Sequence, residues 1–381
     1  MTKKLIKRDF NLINVFDPYL SFWDKFSVMK ALSKKSISGS TSLINDFELE
    51  FSKFCNRKYG IAVSNGSVAL DLTFASLNLQ DGDEVIIPSH TIISCLASVI
   101  RGNGTPIFCD VNEVSWNMTL EDVKKVVSPK TKVVLMVHTF GLPADADEIE
   151  LYCKENNITL IEDAAEAHGQ VGGEKICGSY GLMSTFSFYA NKHLTTGEGG
   201  MILTDSEEIY KKAKQYRNLD FSNKRFHHEN LFWNYRLGGL QAALGMSQLK
   251  NINKVITSKK KQALYYDNLL SHHKEILQIP SKSYNGIQNH YWVYGVLLKV
   301  NNIRDSVMEK MRTLGVETRP FFWPLHLQNA LPDEFKEKET NLLVSENLGK
   351  NGLYIPTGSH ISNSKQNKIV EVLIKSIKKS T

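Results

Sequence analysis

The sequence lacks both a long apolar run and a regular cysteine pattern. No stretch reaches the roughly 18 consecutive apolar residues that a transmembrane helix needs. The five cysteines form neither C-x-x-C pairs nor a disulfide framework, which argues against structural zinc and favours a reducing compartment. Internal repeats and low-complexity linkers are also missing, so we expect domains that pack together rather than tethered ones.

A secretory signal and a nucleic-acid motif are missing as well. The first residues are basic, but the polar residues Asp9 and Asn11 come directly after them, before any apolar segment can form. The net charge of +6 permits nucleic-acid binding, yet basic runs such as Lys259–Lys261 are not interleaved with aromatic residues. We therefore expect a cytoplasmic protein that binds neither membranes nor nucleic acid, with its basic residues on solvated helix faces.

What is present is an ordinary globular composition. The chain has 381 residues, of which 42% are hydrophobic and 23% charged, enough for two or three domain-sized units. From about residue 51 to 204, β-rich runs alternate with segments of helical periodicity, which predicts a mostly parallel sheet covered by helices. The predicted strands are Tyr59–Val63, Glu84–Ile87, Pro106–Asp110, Lys132–Val137, Thr159–Glu162, Thr185–Phe188 and Met201–Thr204, and the predicted helices between them are Val68–Leu77, Leu120–Val126 and Asp147–Asn156.

The last third of the chain has the pattern of a second unit. Leu237–Leu270 lacks the turn signals that separate strands, which predicts a long helical connector. It is followed by a predicted strand at Tyr291–Val300 and predicted helices at Ile303–Leu314 and Ser364–Ser376. The fold class is thus α/β, a large domain with a mostly parallel central sheet and a smaller C-terminal α/β domain. The predicted division is an N-terminal segment at 1–50 that packs on the large domain, the large domain at 51–260 and the small domain at 261–381.

Three local patterns carry chemistry. Ser64–Ser67 follows a strand, contains Gly66 and opens a helix, so its backbone N–H groups suit a phosphate, although many such turns only cap a helix. Asp163 ends an apolar strand where open α/β sheets bind ligands, although a helix cap is an equally good interpretation. Lys192 follows a strand in a glycine-flanked turn; taken alone, a surface lysine is the better interpretation.

Taken together, the three patterns complement one another. Pyridoxal 5′-phosphate (PLP) has a phosphate, a basic ring nitrogen and an aldehyde, and each part finds a partner here. A buried Lys192 would lose its charge readily, and a neutral amine forms a Schiff base with an aldehyde. The set therefore indicates a PLP enzyme whose working lysine is Lys192.

These motifs resemble those of the DegT/DnrJ/EryC1/StrS family of sugar aminotransferases, in the order found there. Within the family they are most similar to the group that makes GDP-perosamine. The resemblance covers nearly the whole chain and is carried by Ser64–Ser67, Glu162–Ala167, Ser187–Lys192, Thr196–Gly200, Asn234–Leu237, Gln241–Ala243, Gly315–Pro320 and Pro324–His326.

The resemblance implies a fold type I PLP-dependent aminotransferase that forms a homodimer with shared active sites. Lys192 would bind PLP, with pyridoxamine phosphate as the intermediate form, and Asp163 would pair with the ring nitrogen. Glu166 would lie beside the ring near its hydroxyl. The phosphate would be bound by Gly66, Ser67 and Ser187 and, from the other subunit, by Asn234 or Arg236.

The sequence departs from the family pattern at two of these positions. Ile92 stands where relatives often carry an aromatic residue that stacks on the ring, so we expect Ile92 only to pack against the ring face. Ser67 replaces the commoner threonine and keeps its hydroxyl. The family also contains dehydratases with histidine in place of the lysine, and His193 is adjacent. Counting five positions from Ser187 reaches Lys192, which favours the aminotransferase and leaves His193 a local hydrogen bond.

The resemblance also implies the reaction. We expect transfer of the amino group of L-glutamate to the 4-keto carbon of a nucleotide-linked 4-keto-6-deoxy sugar, with GDP-4-keto-6-deoxymannose as the expected acceptor. Other nucleotides, a 3-amino product, a 3-dehydratase or a regulator that keeps PLP without turnover stay open. Candidate residues for the sugar nucleotide are His326, Arg319, Trp323, Lys224 and Arg225, although Trp323 is equally well explained as core.

Overall fold

The computed structural model describes residues 12–221, 226–336 and 341–381. The strands are β1 (Tyr59–Val63), β2 (Glu84–Pro88), β3 (Thr105–Cys109), β4 (Thr131–Val137), β5 (Thr159–Asp163), β6 (Met183–Ser187), β7 (Gly200–Thr204), β8 (Leu277–Gln278), β9 (Ser283–Tyr284), β10 (Ile287–Gln288), β11 (Tyr294–Leu298), β12 (Arg319–Pro320) and β13 (Gly352–Ile355). The helices are α1 (Phe22–Ser33), α2 (Ser42–Phe54), α3 (Gly66–Leu77), α4 (Ile93–Arg101), α5 (Leu120–Val126), α6 (Ala146–Glu155), α7 (Glu207–Arg217), α8 (Gly239–Leu270), α9 (Arg304–Thr313), α10 (Leu343–Asn351) and α11 (Asn363–Lys378). Among these helices, none is both long and apolar enough to cross a membrane.

Seven strands form the central sheet in the order β1-β7-β6-β5-β4-β2-β3. β7 is antiparallel to both of its neighbours, and the pairs from β6 to β3 are all parallel. The predicted α/β fold with a mostly parallel sheet is therefore confirmed. The seven predicted strands agree with β1–β7 to within two residues at either end.

The sheet is buried on both faces, as β4 shows. Val133 and Leu135 belong to the core that the sheet forms with α3 and α4. Val134 and Met136 belong to a second core with α5 and α6. Because side chains alternate along a strand, a strand covered on both faces must be apolar throughout. This is why the predicted strands appear as continuous apolar runs.

A second unit is built on the four-stranded sheet β12-β13-β11-β8. Its core lies between this sheet and α8, α9 and α11. The predicted strand at Tyr291–Val300 is shorter than expected, because Tyr291 has a left-handed φ of 52° and the backbone joins the sheet only at Tyr294. α8 has 32 residues, contacts α1 and α2 near its start and reaches the second unit at its end. The boundary at residue 260 lies inside α8, and the division into domains stays a prediction.

The parallel strands direct their carboxyl ends to one edge of the central sheet. β4, β5 and β6 end there at Val137, Asp163 and Ser187. The turn from β1 into α3 lies at the same edge, since Val63 is paired with Gly200 and Gly200 with Ser187. The three sequence patterns that carry chemistry are thus brought together by the strand order.

A buried ion pair ties α2, β1 and α7 together at the β1 edge of the central sheet. Glu48 accepts hydrogen bonds from the backbone N–H of Ala62 (2.9 Å) and from the Arg217 guanidinium, which also donates to the Ala62 carbonyl (2.8 Å). Removing one partner of a buried pair leaves the other charge uncompensated. We expect Glu48→Ala to lower the free energy of unfolding by about 3 kcal/mol, measured by urea denaturation.

Glu50→Ala on the same helix is the matched control, because the Glu50–Lys53 pair is exposed. It should change the free energy of unfolding by less than about 0.5 kcal/mol. Equal effects of the two substitutions would contradict the assigned role of the buried pair.

Candidate active site

A cavity of about 470 Å³ lies at the carboxyl edge of the central sheet. Its walls come from the β1–α3 turn, the start of α4, the ends of β4 and β5 and the loop after β6. Trp292, Phe322 and Tyr354 of the second unit close the remaining side. The cavity therefore lies between the two units, which is where small-molecule sites in α/β proteins commonly occur.

Lys192 projects into this cavity from the loop that joins β6 to β7. Its ammonium lies 3.4 Å from Glu166 Oε1 and 3.6 Å from the centroid of the Trp292 ring. The side chain is only 8% exposed, so the interpretation as a surface lysine is wrong. Burial lowers the pKa of Lys192, while Glu166 and Asp163 oppose that shift.

Asp163 ends β5 on the floor of the cavity. Its Oδ1 accepts from the backbone N–H of Ala165 (3.0 Å) and the hydroxyl of Thr185 (3.3 Å), and its Oδ2 accepts from the Cys95 thiol (3.5 Å). Burial raises the pKa of Asp163, and these donors and Lys192 counteract the rise. No helix follows directly, so the side chain caps a turn and the helix-cap interpretation does not apply.

The β1–α3 turn forms a concave, donor-rich surface beside this carboxylate. Asn65 caps α3 through Val68 N–H (2.9 Å), and the Ser67 hydroxyl lies 2.6 Å from that of Ser94 at the start of α4. Two helix amino termini therefore point their positive ends at one place. A side chain on Gly66 would put its Cβ 2.8 Å from Cβ of Ser187, so glycine is required for this approach.

Glu166 lies on the turn after β5, facing Lys192. Its Oε2 accepts from the backbone N–H of Phe140 at 2.9 Å. Burial is the main cause that raises the pKa of Glu166 to about 7, against the lowering effects of Lys192 and the Phe140 N–H group. The carboxyl group can therefore gain or lose a proton near neutral pH.

His193 does not line the cavity that contains Lys192 and Asp163. Its ring is buried, and Nε2 donates to the carbonyl of His290 at 3.3 Å. Burial also lowers the pKa of His193 well below its ordinary value. The local hydrogen bond expected for this residue is what the structure contains, and Lys192 is the one of the two that faces Asp163.

Ile92 lines the cavity at the start of α4, whereas the described candidates for sugar-nucleotide binding do not. His326 is buried against the Ser89 hydroxyl (2.6 Å). Arg319 pairs with Glu317 (2.9 Å), and the Trp323 indole donates to the Leu327 carbonyl (3.2 Å). None of these three described residues lines the cavity, and Lys224 and Arg225 lie outside the described residues.

The two residues expected to serve the other subunit do not line this cavity either. Arg236 pairs with Val63 at the edge of β1, and its guanidinium donates to Asn234 Oδ1 at 2.8 Å. Neither residue lines the cavity of its own chain. Their predicted role therefore depends on a second subunit.

The sequence patterns missed several residues that line or support the cavity. Trp292 and Tyr354 come from the second unit, and Tyr189 lies within the Ser187–Lys192 motif, in which only Ser187 and Lys192 have predicted roles. Cys95 and Thr185 support Asp163 from beneath. Only the aromatic character of the Tyr291-Trp292 pair offered a signal, and nothing in its sequence surroundings connects it to Lys192.

One buried cluster among the described residues has the composition of a metal site, namely His138, Glu162 and Cys177. Glu162 already accepts from Gly178 N–H (2.7 Å), Tyr180 N–H (2.9 Å) and His138 Nε2 (2.9 Å). His138 Nδ1 accepts from the backbone N–H of Ala144. Burial raises the pKa of the Cys177 thiol, so the cluster is better explained as a hydrogen-bonded support beneath the sheet edge.

PLP fits the residues of the cavity. Lys192 supplies an amine for the aldehyde, and the α3 start with Ser187 supplies donors for the phosphate. Among the described residues the Cys95 thiol, a weak donor, is the partner of Asp163 Oδ2, so this oxygen can still accept from the ring nitrogen. The three groups face one space, as one cofactor requires.

Comparison with known proteins agrees with this geometry. A family model described as the DegT/DnrJ/EryC1/StrS aminotransferase family matches residues 24–374. The chain is 33% identical to the GDP-perosamine synthase of Vibrio cholerae, over 91% of this chain and 94% of that protein. It is 31% identical to the GDP-perosamine synthase of Escherichia coli O157:H7, over 92% and 94%.

Solved structures are similar over the same span. An aminotransferase from Psychrobacter cryohalolentis superposes with a TM-score of 0.86 at 26% identity, covering 96% of this chain and 98% of that one. The GDP-4-keto-6-deoxy-D-mannose-3-dehydratase of E. coli with bound hydrated PLP superposes with a TM-score of 0.85 at 25% identity, covering 95% and 100%. Motifs, fold and cavity lead to one conclusion: the chain belongs to the DegT/DnrJ/EryC1/StrS aminotransferase family.

Proposed function

We propose that this aminotransferase moves the amino group of L-glutamate to the 4-keto carbon of GDP-4-keto-6-deoxymannose, giving GDP-perosamine. The observation that carries the proposal is the buried Lys192 ammonium in one cavity with Asp163 and the α3 start. The choice of sugar nucleotide is supported by the names of the relatives at 31% and 33% identity. The five buried, unpaired cysteines support a reducing, cytoplasmic location.

Bound PLP would supply an aldehyde that takes up an amine and a protonated ring that withdraws electrons. Lys192 would hold this aldehyde and then, once displaced by the amine donor, move a proton as general base and acid. Asp163 would keep the ring nitrogen protonated. Gly66, Ser67 and Ser187 would bind the phosphate, and Ile92 would pack against a ring face.

Glu166 would control the protons around Lys192. It lies 3.4 Å from the ammonium and shares its buried surroundings. Because burial raises the pKa of Glu166 and lowers that of Lys192, moving a proton from Lys192 to Glu166 costs less free energy than it would in water. The lysine can then be neutral when it acts as a nucleophile or base.

The sugar nucleotide and the second subunit belong to the same proposal. We infer a homodimer in which Asn234 or Arg236 reaches the partner's phosphate site, since neither lines its own cavity. His326, Arg319, Trp323, Lys224 and Arg225 stay predictions for sugar-nucleotide binding. The dehydratase alternative is disfavoured because a lysine, rather than His193, faces Asp163.

The first prediction concerns the lysine. Lys192→Ala should abolish covalent attachment of PLP and reduce turnover by roughly a thousandfold or more, because nucleophile and general base are lost together. Visible absorbance of the bound cofactor and coupled detection of 2-oxoglutarate measure the two effects. Lys211→Ala, on the exposed face of α7, is the matched control; near-normal turnover of the Lys192 variant would remove that residue from the mechanism.

The second prediction concerns the carboxylate beneath the ring. Asp163→Asn keeps the shape but removes the negative charge that holds the ring nitrogen protonated, so kcat should fall by about two orders of magnitude while PLP stays covalently bound. Steady-state kinetics with glutamate measure this. Asp305→Asn, at an exposed ion pair, should be neutral. Unchanged kcat in the Asp163 variant would reject the assigned pairing.

The substrate can be identified directly. Incubation with glutamate and a panel of GDP-, UDP- and dTDP-linked 4-keto-6-deoxy sugars, followed by mass spectrometry, should give an aminated product from GDP-4-keto-6-deoxymannose. A product that has lost its C3 hydroxyl would indicate the dehydratase instead. Amination of a UDP or dTDP sugar alone would keep the reaction and overturn the substrate. Uptake of PLP without any product would favour the regulator.

A further inference from the structure

The indole of Trp292 is fixed face-on beneath Lys192. The ring centroid lies 3.6 Å from the lysine nitrogen. The indole N–H donates to the Asn191 carbonyl (3.1 Å), and the backbone N–H donates to the Phe140 carbonyl (3.1 Å). The Trp292 carbonyl accepts from the buried ammonium of Lys259 at 2.9 Å. These three hydrogen bonds hold the ring so that its face, not its edge, meets the lysine.

Among the described residues, few charged groups lie near Lys192. Glu166 and Asp163, at and just beyond the end of β5, raise the pKa of the lysine against the lowering effect of burial. His168 is neutral, because burial and the nearby lysine lower its pKa to about 3. Lys259 lies behind Trp292 rather than facing Lys192. The aromatic face therefore completes a site made of two carboxyl groups and one ring.

We propose that Trp292 is a catalytic residue whose ring face holds the Lys192 ammonium during proton transfer. This inference rests on the proposed function. Bound PLP would supply a π system that takes up the electron pair of the donor's Cα–H bond. Once displaced by the donor, Lys192 would accept the Cα proton on its lone pair and then give that proton to the cofactor carbon, which would restore the neutral amine.

An aromatic face suits this task better than a third carboxylate. The negative face of an indole attracts a cation, and the attraction is strongest where water is excluded. Unlike Glu166, the ring has no atom that accepts the proton. It can therefore stabilise the short-lived ammonium without removing the proton that must be returned.

The test compares Trp292→Leu with Trp292→Phe in the full chain. The first readout is the rate at which PLP becomes covalently attached to cofactor-free protein as a function of pH, which reports the pKa of the Lys192 amine. The second is the rate of the single-turnover reaction of the PLP-loaded protein with glutamate. Trp23→Leu is the control, since Trp23 is exposed on α1 and its described ring contacts are Phe22 and Phe26.

Loss of the ring should speed PLP attachment at a fixed pH below the lysine pKa and should slow the reaction with glutamate. In Trp292→Leu, the pH profile of PLP attachment should move down by about one unit, because the ammonium is less stable. The single-turnover rate with glutamate should fall about tenfold, because the ammonium formed on proton transfer is less stable too. Trp292→Phe should be intermediate, and Trp23→Leu should match the unaltered protein in both.

Other outcomes overturn the proposal. Equal slowing of both steps with an unshifted pH profile would make Trp292 a structural residue. Unchanged behaviour of Trp292→Leu would reject any role. If Lys192 of the unaltered protein did not bind PLP at all, the proposed function would fail first, and this result is distinct from a failure confined to the Trp292 variants.

Discussion

A positive charge is buried at Lys192, and the arrangement of the active-site cavity follows from the need to stabilise that charge. An isolated ammonium in such a place would lose its proton. Glu166 and Asp163 counter this tendency, and the Trp292 ring lies 3.6 Å from the lysine nitrogen. The pairing of β5 with β6 brings the two carboxyl groups and the lysine-bearing loop to one edge of the sheet, and the second unit supplies the ring. The site thus exists only when both units are packed together.

Much of the fold follows from short-range patterns. Strands buried on both faces must be apolar throughout, so β1–β7 could be predicted to within two residues. The exception at Tyr291 has a local cause, because its left-handed backbone and the Asn289 side-chain bond to its N–H delay the start of β11. Hydrophobic periodicity in the sequence indicates which residues are buried. It does not indicate a turn whose backbone conformation depends on one side-chain hydrogen bond.

The part of the site that could be predicted from the sequence consists of residues at or just after the ends of strands. Gly66, Asp163 and Lys192 each follow a strand, and parallel strands must bring such residues to one edge. Trp292 is far from Lys192 in sequence, and no comparable rule predicts that its ring lies beside the lysine. For His326, the motif gives the residue type but not the direction of the side chain, whose ring contacts the Ser89 hydroxyl in the structure. Contacts set by packing between units need the structure.

The close approach of Gly66 to Ser187 makes two distant parts of the chain depend on each other. A Cβ at residue 66 would lie only 2.8 Å from that of Ser187, so a larger residue at position 66 would force one of the two backbones to move. The loop that carries Lys192 and the β1–α3 turn therefore have to be transferred together when either is moved into a related scaffold. Transfer of the loop alone would separate the anion-binding surface from the amine.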